Sequence, residues 1–226
     1  MNNTMDITLC RPGGRRACSV CCGCFNMRDI SRQSLSSFLE RGLERLSLFG
    51  GGSEPELHSE VRDETTHICP FQGLAEALPG CLLHPAIHGS DGRGASLYGE
   101  RICGEFFCPA HHLLDEGARR LLLSMELDWY LYSIAILDPL GFVWMLDEAF
   151  GNDGRSSGPG LSPAEAAAVK SALEAHAAFL NRLDGPIFYY SRSEYLLDYH
   201  RFSPASGSPE TERHRLSLRQ LLRLSA

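Results

Sequence analysis

At 226 residues, with 43% hydrophobic residues and a formal charge of -7, the chain is long enough for one large domain or two small ones around a packed core. A pI near 5.7 argues against a general binder of phosphate backbones, which is normally basic, so nucleic acid is not an expected partner. The 21 basic residues include one lysine, Lys170, a bias that points to no function by itself.

Met1 to Arg16 has no apolar run behind a positive start, as a secretory signal would need. It reads as an irregular segment that continues to Asn26. From Ser31, Leu35, Phe38, Leu39, Leu43 and Leu46 recur at three- and four-residue spacing before Gly50-Gly51-Gly52, which predicts one amphipathic helix and its stop. Gly50 to Thr66 is polar and acidic, a loop or linker. Cys69 to Gly104 is dense in Gly and Pro and carries Gly89-Ser90-Asp91-Gly92, so loops and short helical turns are expected, held by something other than a core.

Beyond His112 the pattern changes. Leu114, Ala118, Leu121, Leu122, Met125, Trp129, Tyr132 and Ile136 form an apolar stripe that predicts a long buried helix over 113–137, ended by Pro139. Its most apolar stretch, Leu121 to Leu137, is interrupted by Glu126 and Asp128, too short and too polar to span a bilayer. Gly141 to Phe150 reads as a short helix and Gly151 to Gly160 as a linker. Ser162-Pro163-Ala164-Glu165 supplies an N-cap, a first-turn proline and an early acid for a helix to about Leu183. Gly185-Pro186 stops it, Ile187 to Tyr190 reads as a short strand or extended connector, and Arg215 to Leu224 as a basic terminal helix packed on its own domain. The expected architecture is mostly α: a loop-rich cysteine module, residues 1–112, packed against a helical domain, residues 113–226.

All nine cysteines lie between Cys10 and Cys108. With no secretory signal the expected compartment is the cytoplasm, where clustered thiols bind metal more readily than they form disulfides. Cys18-x2-Cys21 is the tight turn of a thiolate pair, and Cys103-x4-Cys108 is a looser one; Cys69 and Cys81 can complete the same site or anchor a second. The candidate ligands are Cys18, Cys21, Cys22, Cys24, Cys69, Cys81, Cys103 and Cys108, with Cys10 the expected odd one out. Adjacent Cys21 and Cys22 are expected to serve different roles, since both cannot ligate one tetrahedral ion without strain. Zinc and an iron-sulfur cluster both suit such donors.

These residues carry a resemblance. Cys18 to Cys24, Cys69-Pro70-Phe71, Gly80-Cys81-Leu82-Leu83-His84-Pro85, and Cys103 with Cys108 resemble the zinc- or iron-chelating proteins named for a CxxCxxCC motif, over about residues 18 to 108. Two departures stand out: the doublet Cys21-Cys22 precedes Cys24 instead of closing the motif, and His84 stands where an aromatic is frequent. The resemblance implies metal chelation.

His111-His112, His84 with His88, and His67 are secondary ligand candidates. Asp128 among Trp129, Tyr130 and Tyr132 is a candidate buried acid or base, or a carboxylate tied down by a neighbouring Arg or Tyr. No nucleotide-binding loop or nucleophile elbow is present. The expected function is metal binding by clustered thiolates, zinc in a structural role, with the helical half offering a surface to a protein partner. The alternatives are an iron-sulfur redox or group-transfer enzyme, and metal storage or delivery. No reaction or substrate is assigned.

Overall fold

The computed structural model describes residues 9–13, 16–50, 61–62, 68–96, 98–157, 160–184, 187–190, 195–197 and 208–223. The His67 candidate and most of the acidic linker lie outside them. The described chain is mostly helical, with two small antiparallel hairpins, as the hydrophobic periodicity predicts.

The first predicted helix is two: α1, Arg32–Glu40, and α2, Gly42–Gly50. Ser31 caps α1 by accepting from the Ser34 N–H, and Leu35, Phe38 and Leu39 point into the core. The break at Arg41 takes Leu43 off that stripe, leaving it 66% exposed. Its cause is a close approach: a Cβ on Gly42 would stand 2.5 Å from the Gln72 carbonyl oxygen and the Gly73 Cα. The turn also lets buried Arg45 donate to the carbonyls of Phe38, Pro70 and Gln72 at 2.6, 3.2 and 2.8 Å.

Between Cys69 and Gly104, where loops and helical turns were expected, stands a hairpin of β1, Gln72–Ala75, and β2, Leu78–Cys81, with Gln72 opposite Cys81. Its two-residue turn places Glu76 and Ala77 at φ 55° and 62°, the left-handed pair that usually calls for Asn-Gly. Lacking that signature, the hairpin is invisible to turn chemistry. Short helices follow: α3, Pro85–His88, α4, Gly99–Glu105, and α5, Ala110–Leu113.

The long helix expected over 113–137 is interrupted, giving α6, Glu116–Ser124, and α7, Trp129–Leu137. Asp128 N-caps α7 and Asp115 N-caps α6. Met125 and Leu127 in the connector are both 3% exposed, so their burial imitates a continuous helical stripe. Every residue of α7 from Tyr130 to Leu137 is buried, which makes it the central helix. α8, Pro139–Ser157, turns away from α7 by 100°, and Gly151 at φ 69° kinks it where a linker was expected. No single helix among the described residues is long and apolar enough to cross a membrane.

α9, Pro163–Arg182, opens with the full capping box of Ser162 and Glu165. β3, Phe188–Tyr190, pairs with β4, Tyr195–Leu197. α10, Pro209–Arg223, then packs on α8 and α9, where Arg219 donates to Glu148 at 2.6 Å and Arg215 lies 4.8 Å over the Trp144 ring.

One hydrophobic cluster takes in Leu9, Val20, Phe25 and Phe71 from the cysteine-bearing half and Leu131, Phe142, Leu173 and Leu218 from the helical half. The polar edge of α7 ties the two together: the Tyr132 hydroxyl donates to the Leu9 carbonyl at 2.8 Å and Tyr130 to that of Ile30 at 2.9 Å. Asn181 of α9 accepts from the Ile30 N–H at 2.7 Å. Arg62 donates to the Leu180 and Leu183 carbonyls, both at 3.0 Å, where α9 presents the negative end of its dipole.

Candidate metal centre

Two pairs of thiol-bearing segments are joined by backbone bonds. The Cys18 N–H donates to the Cys10 carbonyl at 3.0 Å, and the Cys69 N–H to that of Cys22 at 2.9 Å. The side-chain amide of Gln72, on β1, donates to the carbonyls of Cys22 and Cys69 at 2.8 and 3.2 Å. Its partner in the hairpin register is Cys81. Cys103, on α4, is held by Arg93, which donates to its carbonyl at 3.0 Å, and its sulfur meets the Ser96 hydroxyl at 3.0 Å.

Several sulfurs are met by nearby backbone amides. The Val20 N–H points at the Cys18 Sγ at 3.4 Å. Leu83 and His84 do the same for Cys81, and Ala110 and His111 for Cys108. Amides two and three residues downstream of a cysteine favour the thiolate and orient its lone pairs outward from the turn.

Electrostatics place most of these groups within reach of one another. Although Cys10 is exposed as a residue, desolvation around its sulfur and repulsion from Cys21 and Cys108 push its thiol up to about 12. Burial, then the charges of Cys108, Cys21 and Cys10, raise Cys18 well above the ordinary thiol value. Burial and Cys21 take Cys108 up to about 12. Cys21 moves the other way, because the Cys22 thiol hydrogen-bonds to it and outweighs its own burial. That same bond, burial and the charges of Cys21, Cys69 and Cys81 raise Cys22. Burial raises Cys81 and Cys103, with smaller repulsion from Cys103 on the first and Cys21 on the second. Arg93, paired with Asp91 at 2.6 Å, is the nearby cation that opposes both shifts.

Cys24 stands apart. It is fully buried in a 3-10 turn beside Phe25, and burial pushes its thiol up to about 12. Cys10, the expected odd one out, is joined to Cys18 through its carbonyl, which accepts from the Cys18 N–H at 3.0 Å. Spacing hides this, since seven residues separate Cys10 from Cys18 and only the folded backbone closes the gap.

Among the described residues no three His, Cys, Asp or Glu side chains stand ready around a single ion position. The sulfurs share a region without converging on a point. Thiols are the donor type that soft metals take, but the described residues bring no three of them to one position.

The secondary candidates take structural places. His84 N-caps α3, its Nδ1 accepting from the Ala86 N–H at 3.2 Å, and His88 is exposed. His112 is exposed, and the His111 ring packs edge-on to Phe107 at 5.0 Å. Asp128 is no buried acid. Its side chain is 44% exposed, accepts from the Leu131 N–H at 3.0 Å and pairs with Arg32.

A hydrogen-bonded chain of three side chains that no sequence motif announced lies in the helical half. Asp138, between α7 and α8, meets His176 Nε2 at 3.0 Å, and His176 Nδ1 meets His214 Nε2 of α10 at 3.1 Å. The other Asp138 oxygen accepts from the Gly141 N–H at 2.9 Å. Burial, then electrostatic repulsion from His176 and Arg182, lowers His214 to about 3. Three residues spread from position 138 to 214 in unrelated contexts carry no local signal. Comparison of the chain with protein-family models, with curated proteins and with solved structures gave no match.

Proposed function

We propose that this protein binds metal through the thiolates gathered between Cys10 and Cys108, with zinc in a structural role, and that the helical half serves as the platform for that centre and as a surface for a protein partner. The observation that carries the reading is that thiol-bearing segments far apart in sequence are joined through their backbones: Cys10 with Cys18, and Cys22 with Cys69, whose carbonyls Gln72 clasps opposite Cys81. Amides directed at four of the sulfurs support it, as does the resemblance to the CxxCxxCC chelating proteins.

Zinc would draw chiefly on Cys residues here, since the described nearby histidines, His84, His88, His111 and His112, cap, stack or face solvent. When bound it would cross-link short elements that have little core of their own, adding on the order of 10 kcal/mol to folding as structural zinc does in small peptides. The chain's part is to deliver thiols at low strain, exclude competing water and hold Arg93 near the anionic sulfurs.

The test is anaerobic purification without chelators, followed by metal analysis and a visible spectrum. Tightly held, colourless zinc supports the proposal. A brown protein with iron and sulfide replaces zinc by an iron-sulfur cluster and reopens the redox reading. A folded chain that takes up neither metal overturns it.

A further inference from the structure

We infer that the chain of Asp138, His176 and His214 is an acid-released latch holding α10 on α9, because the two rings carry one proton fewer when bonded to each other than when apart. None of the thiols takes part in it. The latch spans three places in the helical half: Asp138 stands between α7 and α8, His176 on α9 is 1% exposed, and His214 comes from α10. The His214 ring lies flat on that of Phe179, with centroids 4.0 Å apart and planes 10° apart. Leu218 and Leu222, one and two turns further along α10, are buried.

The count of hydrogens follows from the geometry. A carboxylate only accepts. One Asp138 oxygen takes the Gly141 N–H at 2.9 Å and the other meets His176 Nε2 at 3.0 Å, so Nε2 carries a hydrogen whenever Asp138 is ionised. His176 Nδ1 and His214 Nε2, 3.1 Å apart, then need one hydrogen between them. Two neutral rings satisfy this with His214 donating. One added proton also leaves a single hydrogen in that gap, either with His214 as the cation or with His176 donating to the other tautomer of His214. A second added proton sets N–H against N–H, and the bond is lost.

The surrounding charges act in the same direction. Burial, then repulsion from His176 and Arg182, lowers His214 to about 3 against 6.5 ordinarily. Arg182, on α9, lies 5.9 Å over the Phe179 ring. On α10 Arg215 is paired with Glu212 at 3.1 Å, and α8 contributes Glu148, paired with Arg219 at 2.6 Å. Those two carboxylates are engaged by arginines, and Asp138 sits behind His176 rather than beside His214. Once α10 is released, His214 takes its proton at the ordinary imidazole value. Docking is therefore at full strength above about 6.5 and weakens by up to tenfold for each pH unit below it. Between pH 7.5 and 5.0 the loss is about thirtyfold.

The experiment is amide hydrogen exchange of the full chain at pH 7.5 and 5.0, corrected for the intrinsic pH dependence of exchange and read helix by helix. Protection of α10 is expected to fall about thirtyfold at the lower pH while that of α7 holds. His214→Gln, which can still bond His176 but takes no proton, should keep α10 equally protected at both. Glu148→Gln should weaken α10 at both pH values and keep the fall. Unchanged native protection, an equal fall in α7, a fall that persists in His214→Gln, or one abolished by Glu148→Gln overturns the latch. Imidazole nitrogen NMR of the native chain supplies a reading that needs no variant: at most one of the two rings should be doubly protonated while α10 is protected. Both rings doubly protonated with α10 still protected overturns it as well.

Discussion

Arg45→Met tests the clamp that holds the Cys69-bearing run against α1. The guanidinium is enclosed, with the residue 8% exposed, and lies 3.7 Å over the Phe38 ring. Its three nitrogens bond the carbonyls of Phe38, Pro70 and Gln72, joining the end of α1 to the Cys69-Pro70-Phe71-Gln72 run. A buried carbonyl stripped of its donor costs on the order of 1–3 kcal/mol, so three set a ceiling of roughly 9 kcal/mol. Against this stands the desolvation of the buried cation, several kcal/mol that methionine does not incur. Methionine also keeps the contact with Phe38. The expected net loss is about 3 kcal/mol, within the range for breaking one partner of a buried charged network. For a chain of this size that corresponds to a Tm lower by about 6–12 °C. Thermal and urea denaturation followed by circular dichroism measures it, and zinc release to a chromogenic chelator should quicken. Arg45→Lys keeps the charge but cannot reach three carbonyls in one plane, so it should recover only part of the loss. A Met variant as stable as the parent, with unchanged zinc release, would refute the clamp.

Three further outcomes follow from the structure. Under the proposed function, zinc would displace protons from thiols whose raised pKa values keep them protonated at neutral pH, so apparent affinity should rise with pH between about 6 and 8; calorimetry in buffers of different ionisation enthalpy counts the protons released, and a pH-independent affinity contradicts thiol ligation. His214 titrates near 3 folded against 6.5 ordinarily, so the unfolded chain binds the extra proton: its contribution is fully present above about 6.5 and is lost as pH falls from there towards 3. His214→Phe, which retains a ring against Phe179, should flatten the urea midpoint across that window; an unchanged acid slope assigns the effect elsewhere. Ala77→Gly relieves a left-handed alanine at φ 62° and should stabilise by about 1 kcal/mol, read as a higher urea midpoint; destabilisation would show that the turn carries no such strain.

The helical half was readable where one local rule governed each element. Ser162 and Glu165 announced the start of α9, and Pro139 announced the end of α7, because caps and proline act through the backbone of their own turn. The reading failed where burial overrode periodicity. Met125 and Leu127 fill the core from a connector, and from sequence alone they cannot be told from residues on a helical face. Arg41 and Gly42 break the first helix for the sake of the Gln72 and Gly73 backbone, a contact thirty residues away. The Glu76-Ala77 turn lacks the residues that advertise its conformation, and so the hairpin that presents Cys81 went unread.

The thiol set shows the same division between local and distant information. Cys18-x2-Cys21 stood out because two residues of spacing specify a turn, and there the Val20 N–H donates to the Cys18 sulfur at 3.4 Å. Membership of the group beyond that turn depends on which loops are returned to it. Cys24 lies two residues from Cys22 yet is fully buried in a 3-10 turn, in the same core cluster as Cys69 and Cys108. Cys10 lies eight positions before Cys18 and yet reaches it, since Tyr132 of the central helix fixes Leu9 in place. Proximity in sequence is therefore the weaker guide in this chain. The stronger one is the anchoring of each loop to α7 or to the Arg45 clamp, and those anchors are aromatic hydroxyls and a guanidinium that no cysteine pattern contains.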